Sequence, residues 1–249
     1  MLILSVITVC YNDLPGLTKT VEGYLAQDCC RLVEHIIIDG NSSDGTHPYL
    51  QTLNYPNLKW ISESDKGLYF AMNTGLEMAQ GDYVQFLNAG DIYVNNEVLP
   101  EVLAALQDQP DFLYGETIDV DEHGNVLGGK RLAVGVREVN WTLFKTGMRI
   151  CHQAMFVKRE LAALYNTRFQ LSADFNWAIH CLKNSQNIKA LNSPVIYFEK
   201  GGLTQKRRFR SLKERFQIMA MHYGLIPTFL RHLYFPIRAF LFYIKNGWN

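Results

Sequence analysis

The sequence predicts an α/β fold built on parallel strands, and three observations lead there. Residues 3–9 (ILSVITV) form a continuous apolar, β-branched run, the pattern of a strand buried on both faces. A helical stretch at Leu14–Gln27 and a second apolar run at His35–Ile38 follow, spelling strand, crossover helix and strand, a unit that is parallel and right-handed. Polar clusters stand just past the strands, where open α/β sheets bind their ligands.

Taken in order, the first strand ends in Tyr11-Asn12-Asp13 and the second in Asp39-Gly40. Lys59–Ser62 is a third candidate strand and Tyr83–Leu87 a fourth, the latter ending in Asn88-Ala89-Gly90-Asp91. The helix between them is expected from about Phe70 to Gln80, with Gly81 as its stop signal. Tyr11–Asp13, Asp39–Asp44, Glu63–Asp65 and Asn88–Asp91 then converge on one crevice. From Asp111 the pattern shifts to shorter strand candidates: a hairpin turn at Asp121–Asn125, a strand at Gln153–Val157, and a helix near Asp174–Leu182. That second half reads as α+β packed on the first.

With 249 residues, 48% of them hydrophobic, the chain can bury one sizeable core plus a smaller appendage, and its composition excludes a disordered chain. Lys+Arg and Asp+Glu both total 24, but they are unevenly placed. Residues 200–249 hold ten basic side chains and one acid, Glu214, so the body is acidic and the tail strongly basic, which points to an anionic partner for the tail. Five cysteines (Cys10, Cys29, Cys30, Cys151, Cys181) show no metal-ligand spacing. With no basic segment and apolar run opening the chain, they suggest a cytosolic protein with reduced thiols. Arg231, Arg238 and Lys245 interrupt the most apolar region, so a membrane-spanning helix is not expected.

Two segments carry the chemistry. IIIDGNSSDGT (36–46) follows a buried strand with two aspartates, two glycines and three hydroxyl residues, either a polar-ligand turn or a turn capping the next helix. In ISESDKGLYFAMNTGLEMAQGDYVQFLNAGD (61–91), Asp91 lies just past a strand. It is either a turn residue or a carboxylate for a divalent cation, since Mg²⁺ needs only one or two protein carboxylates beside water and phosphate.

Together these segments resemble the family 2 glycosyltransferases, inverting enzymes of the GT-A fold. ITVCYND (7–13) is similar to the family's opening strand, DGNSSDGT (39–46) to its nucleotide-recognition turn, and FLNAGD (86–91) to its metal-binding motif. CHQAMF (151–156), LSADFNW (171–177) and YFEKGGLT (197–204) resemble acceptor-side motifs of the branch that assembles exopolysaccharide, colanic acid and O-antigen. The resemblance covers about residues 3–204. It implies a Rossmann-like mixed sheet flanked by helices that binds nucleotide-diphospho-sugars, with a C-terminal helical extension. Residues 1–204 would be the catalytic domain, with about 1–110 the nucleotide-sugar half and about 111–204 the acceptor half, and 205–249 a basic, aromatic tail.

Residue by residue, the resemblance implies that Val9 and Tyr11 line the base pocket, Asp39 bonds the nucleobase edge, Asp44 supports that turn, and Asp65 and Asn88 join the donor side. It further implies that Asp91 holds Mg²⁺ or Mn²⁺ against the donor diphosphate. Asp174 becomes the general base, deprotonating an acceptor hydroxyl that attacks the anomeric carbon from the face opposite the departing nucleotide; its other reading is a helix N-cap. His152 and Gln153 fall on the acceptor or diphosphate side, His152 having a structural reading as well. Phe70 and Thr74 stand where relatives of this branch commonly carry Asp and Lys, and Asn88 and Gly90 where many carry carboxylates. The implied donor is a UDP- or GDP-sugar and the implied acceptor a glycan linked to a polyprenyl lipid.

The tail continues this picture. KRRFRSLKER (206–215) is basic, and beyond Gly224 the stretch to Trp248 is apolar and aromatic, with Arg231, Arg238 and Lys245 recurring every seven residues. Pro236 should divide it into two helical pieces. It either lies on an anionic membrane surface at the inner face of the cell membrane or packs on the catalytic domain or another subunit. Rival functions are a sugar-phosphate nucleotidyltransferase, which needs a basic glycine-rich loop that Tyr11–Gly16 lacks, and a nicotinamide dehydrogenase, which needs a G-x-G-x-x-G that is absent. A non-catalytic glycan or nucleotide-sugar binding module is the third. Nucleic acid is not the expected partner of so acidic a body.

Overall fold

The computed structural model describes residues 2–28, 31–121, 124–127, 139–199 and 207–233. Its centre is β1 (Leu4–Cys10), every residue of which is buried. α1 (Leu14–Leu25) begins where the Asp13 carboxylate accepts the Gly16 N–H and Pro15 occupies the first turn. β2 (Val33–Asp39) pairs with β1 in parallel, from Leu4 opposite Val33 to Cys10 opposite Asp39. After α2 (Thr46–Thr52), β3 (Leu58–Ser62) adds to β2 in parallel. α3 (Leu68–Met78) returns the chain to β4 (Tyr83–Phe86), on the other side of β1.

The remaining elements are β5 (Ile92–Tyr93), α4 (Val98–Leu106), β6 (Phe112–Val120), β7 (Met155–Lys158), α5 (Ala173–Asn184), β8 (Ile188–Glu199) and α6 (Arg208–Tyr223). The eight strands form one sheet in the order β3-β2-β1-β4-β7-β6-β8-β5. It is parallel through β4, antiparallel across β7, and mixed beyond. Strand order reverses at β1, so the ends of β1 and β4 flank a switch point, the usual place for a ligand crevice.

Three sequence expectations are corrected. Of the strands after Asp111, β7 is short as expected, but β6 and β8 are the longest in the sheet: they pair in parallel through two irregularities around Glu116, and these breaks hide the strand period. α3 starts at Leu68, after Gly67 at φ 126°, and stops before Gly81 because the N–H groups of Gln80 and Gly81 turn to the Glu34 carboxylate instead. Gly81 serves close approach, since a Cβ there would meet the Leu4 and Ser5 backbone. The strand expected from Gln153 starts at Met155, and His152–Ala154 form a 3-10 turn. Cys29, Cys30, residues 122–123 of the hairpin, 200–204 of the last motif and the Pro236 kink lie outside the described residues.

Polar groups inside the sheet are paired. Burial alone would raise the Glu34 carboxyl, but the Lys59 ammonium at 2.7 Å, the Ser5 hydroxyl at 2.6 Å and the Gln80 N–H hold it below its ordinary range. His35 bridges Thr8 and Tyr55 at 2.9 and 2.8 Å, and burial pushes its pKa from 6.5 to about 3. Unfolded, this imidazole binds a proton below about pH 6.5, so the unfolded chain holds more protons in that window and stability falls as pH drops through it. The wild-type melting midpoint is therefore expected to fall more steeply from about pH 6.5 to pH 4 than that of His35→Asn; parallel curves would refute a buried neutral imidazole. Gly75 of α3 lies against β1, where a Cβ would collide with Ile7 Cγ2. Gly75→Ala is expected to cost about 1–3 kcal/mol of unfolding free energy in denaturant titration, and an unchanged midpoint would contradict this close contact.

Candidate functional site

The site assembles at the carboxyl ends of β1 to β4. Tyr11 leaves β1 68% exposed, with Val9 buried behind it. Asn12 and Asn41 both take left-handed backbone angles, φ 50° and 63°, which asparagine tolerates better than most residues. This lets the two turns interlock: the Asn12 N–H donates to Ser42 Oγ at 2.7 Å, and Asn12 Oδ1 accepts the Ser43 N–H at 2.9 Å. Asp44 ties the same turn to α1 by accepting the Leu14 N–H at 2.8 Å and the Thr46 hydroxyl at 2.7 Å; that hydroxyl is the main cause holding its carboxyl below the ordinary range.

Asp39 is wholly buried, its carboxylate accepting from the Ser42 N–H and hydroxyl and from the Ser62 hydroxyl at 2.6 Å. Both carboxylate oxygens are engaged by these two serines. Gly40 lies under a convergence, since a Cβ would come 3.1 Å from both Tyr11 Cδ2 and Asp65 Oδ2. Asp65 in turn accepts the Gly67 N–H at 2.7 Å, next to the start of α3.

The 88–91 turn joins this group through β1, because the Ala89 N–H donates to the Val9 carbonyl at 3.2 Å. Thr20 of α1 fixes it, accepting from the Gly90 N–H at 3.0 Å and donating to the Asp91 carbonyl at 2.8 Å. Asp91 is buried, and its Oδ2 accepts the Gln153 side-chain amide at 2.9 Å. Asn88 Oδ1 in the same turn is buried with no hydrogen-bond partner among the described residues. A carboxylate and an orphaned amide oxygen are the hard donors that Mg²⁺ or Mn²⁺ takes. Among the described residues no three His, Cys, Asp or Glu side chains gather to hold an ion by themselves. Water and phosphate oxygens would supply the remaining ligands.

The 3-10 turn at His152–Ala154 links two carboxylates. Gln153 reaches Asp91, while its neighbour His152 brings Nδ1 to 3.8 Å from Asp174 Oδ2. Gln85 secures the turn through the Gln153 carbonyl at 2.9 Å, and is itself held by the Tyr93 hydroxyl at 2.7 Å. Asp174 sits in the first turn of α5, four-fifths covered, and accepts the Tyr69 hydroxyl at 3.1 Å. Burial, then the Asp174 charge, keeps that phenol protonated well above its usual range. Beneath them Tyr69 stacks on Tyr165 and Tyr165 on Trp177, with Phe86 edge-on to both lower rings. Asn73 clamps the Tyr165 backbone at both N–H and carbonyl.

The structure thus brings Tyr11, Asp39, Asp44 and Asp65 together on one flank, and Asn88, Asp91, His152, Gln153 and Asp174 on the other. Sequence reasoning missed Tyr69, Thr20 and Gln85, whose partners are remote in sequence and leave no local signal. Phe70 and Thr74 sit one turn apart on the outer side of α3, joined by the Thr74 hydroxyl on the Phe70 carbonyl. A separate cavity of about 450 Å³, lined by Ile3, Asp82, Leu106, Lys158 and Arg159, lies at the opposite ends of the strands and holds none of these groups.

Comparison with known proteins gives the family and the fold. The family model for glycosyl transferase family 2 matches residues 5–165. Over 176 residues the chain is 34% identical to the uncharacterized glycosyltransferase MT1564 of Mycobacterium tuberculosis, covering 68% of this chain and 65% of that protein, just under two thirds of the relative's length. It is 24% identical to the Escherichia coli UDP-Glc:alpha-D-GlcNAc-diphosphoundecaprenol beta-1,3-glucosyltransferase WfgD, covering 98% of both. Residues 1–349 of S. aureus TarS superpose with a TM-score of 0.71 at 18% identity, covering 94% of this chain and 72% of that one, which shows a shared GT-A fold. TarS also has a structure in complex with UDP-GlcNAc.

Because the Gln153 side-chain amide donates to the buried Asp91 carboxylate, Gln153→Leu is expected to lower unfolding free energy by about 1–3 kcal/mol, the cost of removing that donor from a buried acceptor. Equal stability of the two proteins in urea would show that this bond is dispensable.

Proposed function

The chain belongs to glycosyl transferase family 2, and on that premise we propose that it is a metal-dependent, inverting enzyme moving one sugar from a UDP- or GDP-sugar to a lipid-linked glycan acceptor. The observation that carries this reading is the adjacency of His152 and Gln153, which reach Asp174 and Asp91 from one short turn. A cation-holding carboxylate and a proton-accepting one on the same face are what the transfer needs.

In this reading Tyr11 stacks on the nucleobase, with Val9 behind it, and Asp39, Asp44 and Asp65 shape the rim that receives it. Asp91 and Asn88 would hold Mg²⁺ or Mn²⁺, which when bound neutralises charge developing on the leaving diphosphate. Asp174 takes the proton of the acceptor hydroxyl as its oxygen bonds the anomeric carbon and the nucleoside diphosphate departs from the opposite face. Tyr69 orients that carboxylate, and His152 stands beside it on the acceptor side. A lipid diphosphate acceptor is supported by WfgD, whose name states one.

The tail supports work at an anionic membrane surface. More than half of the large apolar side chains exposed among the described residues lie between 209 and 233, including Phe209, Leu212, Leu225, Ile226, Phe229 and Leu230. No helix among the described residues is long and apolar enough to cross a membrane. The exposed apolar face beside Arg207, Arg210, Lys213 and Arg231 suits the interface instead.

Three tests follow from this assignment. In a thermal-shift screen of UDP-, GDP- and dTDP-sugars, the largest stabilisation is expected only with nucleotide and Mn²⁺ together, and Asp91→Ala should abolish that synergy; turnover of Asp91→Ala near the wild-type rate would remove the metal role. Asp174→Asn should keep the shift yet lose about 10²–10⁴-fold in transfer. A wild type that binds nucleotide sugar but neither hydrolyses nor transfers it, with or without Mn²⁺, would instead be a binding module. For the membrane, the full chain should sediment with phosphatidylglycerol vesicles and Ile226→Asp/Phe229→Asp should remain in the supernatant, whereas equal sedimentation would locate the contact elsewhere.

A further inference from the structure

The C-terminal helix α6 lies against the segment that presents Asp174. Glu214 is buried, and its carboxylate accepts two consecutive backbone N–H groups, Gln170 at 3.2 Å and Leu171 at 2.8 Å. One turn earlier, Ser211 meets Ser172 hydroxyl to hydroxyl at 3.1 Å, and both residues are buried. Ser172 occupies the N-cap position of α5 but makes no side-chain bond to its own helix, its hydroxyl being turned to α6. At the far end of α6, His222 meets Asn176 at 2.9 Å. Residues 170, 171, 172 and 176 are thus held by α6, and Asp174 lies between them.

Glu214 is the single acid among the last fifty residues. A carboxylate in so basic a segment would be expected to face its neighbouring cations. Arg210 does reach it at 3.6 Å, but the shorter bonds go to the loop ahead of the base helix. A buried carboxylate on two N–H groups fixes a loop more firmly than neutral bonds do, because charge-assisted bonds are about twice as strong. Displacing a reacting group by about 1 Å can cost on the order of 10²-fold in rate.

We propose that Glu214 and Ser211 are positioning residues for Asp174, which makes α6 part of the catalytic centre and not an appended tail. The inference rests on the reading of Asp174 as general base. It also joins the proposed membrane-facing segment to the reacting carboxylate through two side chains.

The test uses the full chain and whichever donor in the UDP-, GDP- and dTDP-sugar panel the wild type turns over. Glu214→Ala is expected to lower kcat about 10²-fold, with donor KM and the UDP–Mn²⁺ thermal shift within twofold of wild type. Glu214→Gln, which keeps one acceptor oxygen, should recover part of that loss. In an Asp174→Asn background Glu214→Ala should slow the enzyme no further. Hydrogen exchange of residues 170–178 should rise in Glu214→Ala without any substrate present. Unchanged kcat and unchanged exchange would overturn the proposal, as would a loss confined to donor KM. Should Glu214→Ala fail to fold, Ser211→Ala decides by the same two readouts. An active Asp174→Asn would sink the base assignment itself, while the exchange result would still report whether α6 holds the loop.

Discussion

A strand covered on both faces has nowhere to display polar chemistry except past its ends, and β1 is such a strand along its whole length. Its register with β2 on one side and β4 on the other places three strand ends side by side. The Tyr11 turn, the Asp39 turn and the Asn88–Asp91 turn therefore share a border by construction. Thr20 and Asn12 then bind each turn to its neighbour. The second half of the chain brings the His152–Ala154 turn and Asp174 to that border. It does so because β7 inserts between β4 and β6, which carries the His152–Ala154 turn to the edge of the first half. The two halves of the chain are for this reason two regions of one sheet.

Much of the first half was legible because its strands announce themselves as unbroken apolar runs with polar punctuation. β1, β2 and β4 fall within a residue or two of where the pattern puts them, and the polar clusters after them gather as expected. The second half was harder for identifiable reasons. β6 carries Glu116 and Asp119 and is interrupted by irregular pairing, and β8 carries Asn192, Ser193 and Pro194, so neither shows a clean alternation. Gln153 reads as strand by composition, yet its backbone is claimed by Gln85 and its side chain by Asp91. Tyr69 and Glu214 act on residues far away in sequence, a kind of information that local periodicity does not contain.

The tail begins with a helix whose two faces differ. By composition 205–249 is basic, aromatic and suited to an interface, and α6 indeed turns Phe209 and Leu212 outward. Its opposite side is core, with Ile218 and Met219 buried and the Tyr223 hydroxyl on the Trp141 carbonyl. α6 thus has one exposed apolar face and one face packed in the core. Gly224, at φ 90°, then redirects the chain into the helical residues 225–233, where apolar exposure is greatest.

The aromatic floor under Asp174 has an optical consequence. Trp177 is buried, with its ring 5.3 Å from Tyr165 and 5.6 Å from Phe86, and its indole N–H is fixed to the Ala163 carbonyl at 2.8 Å. An indole so confined emits at short wavelength and is shielded from dissolved quenchers. With Trp60, Trp141 and Trp248 replaced, its emission becomes a gauge of how the floor beneath Asp174 responds while nucleotide, cation or lipid is added.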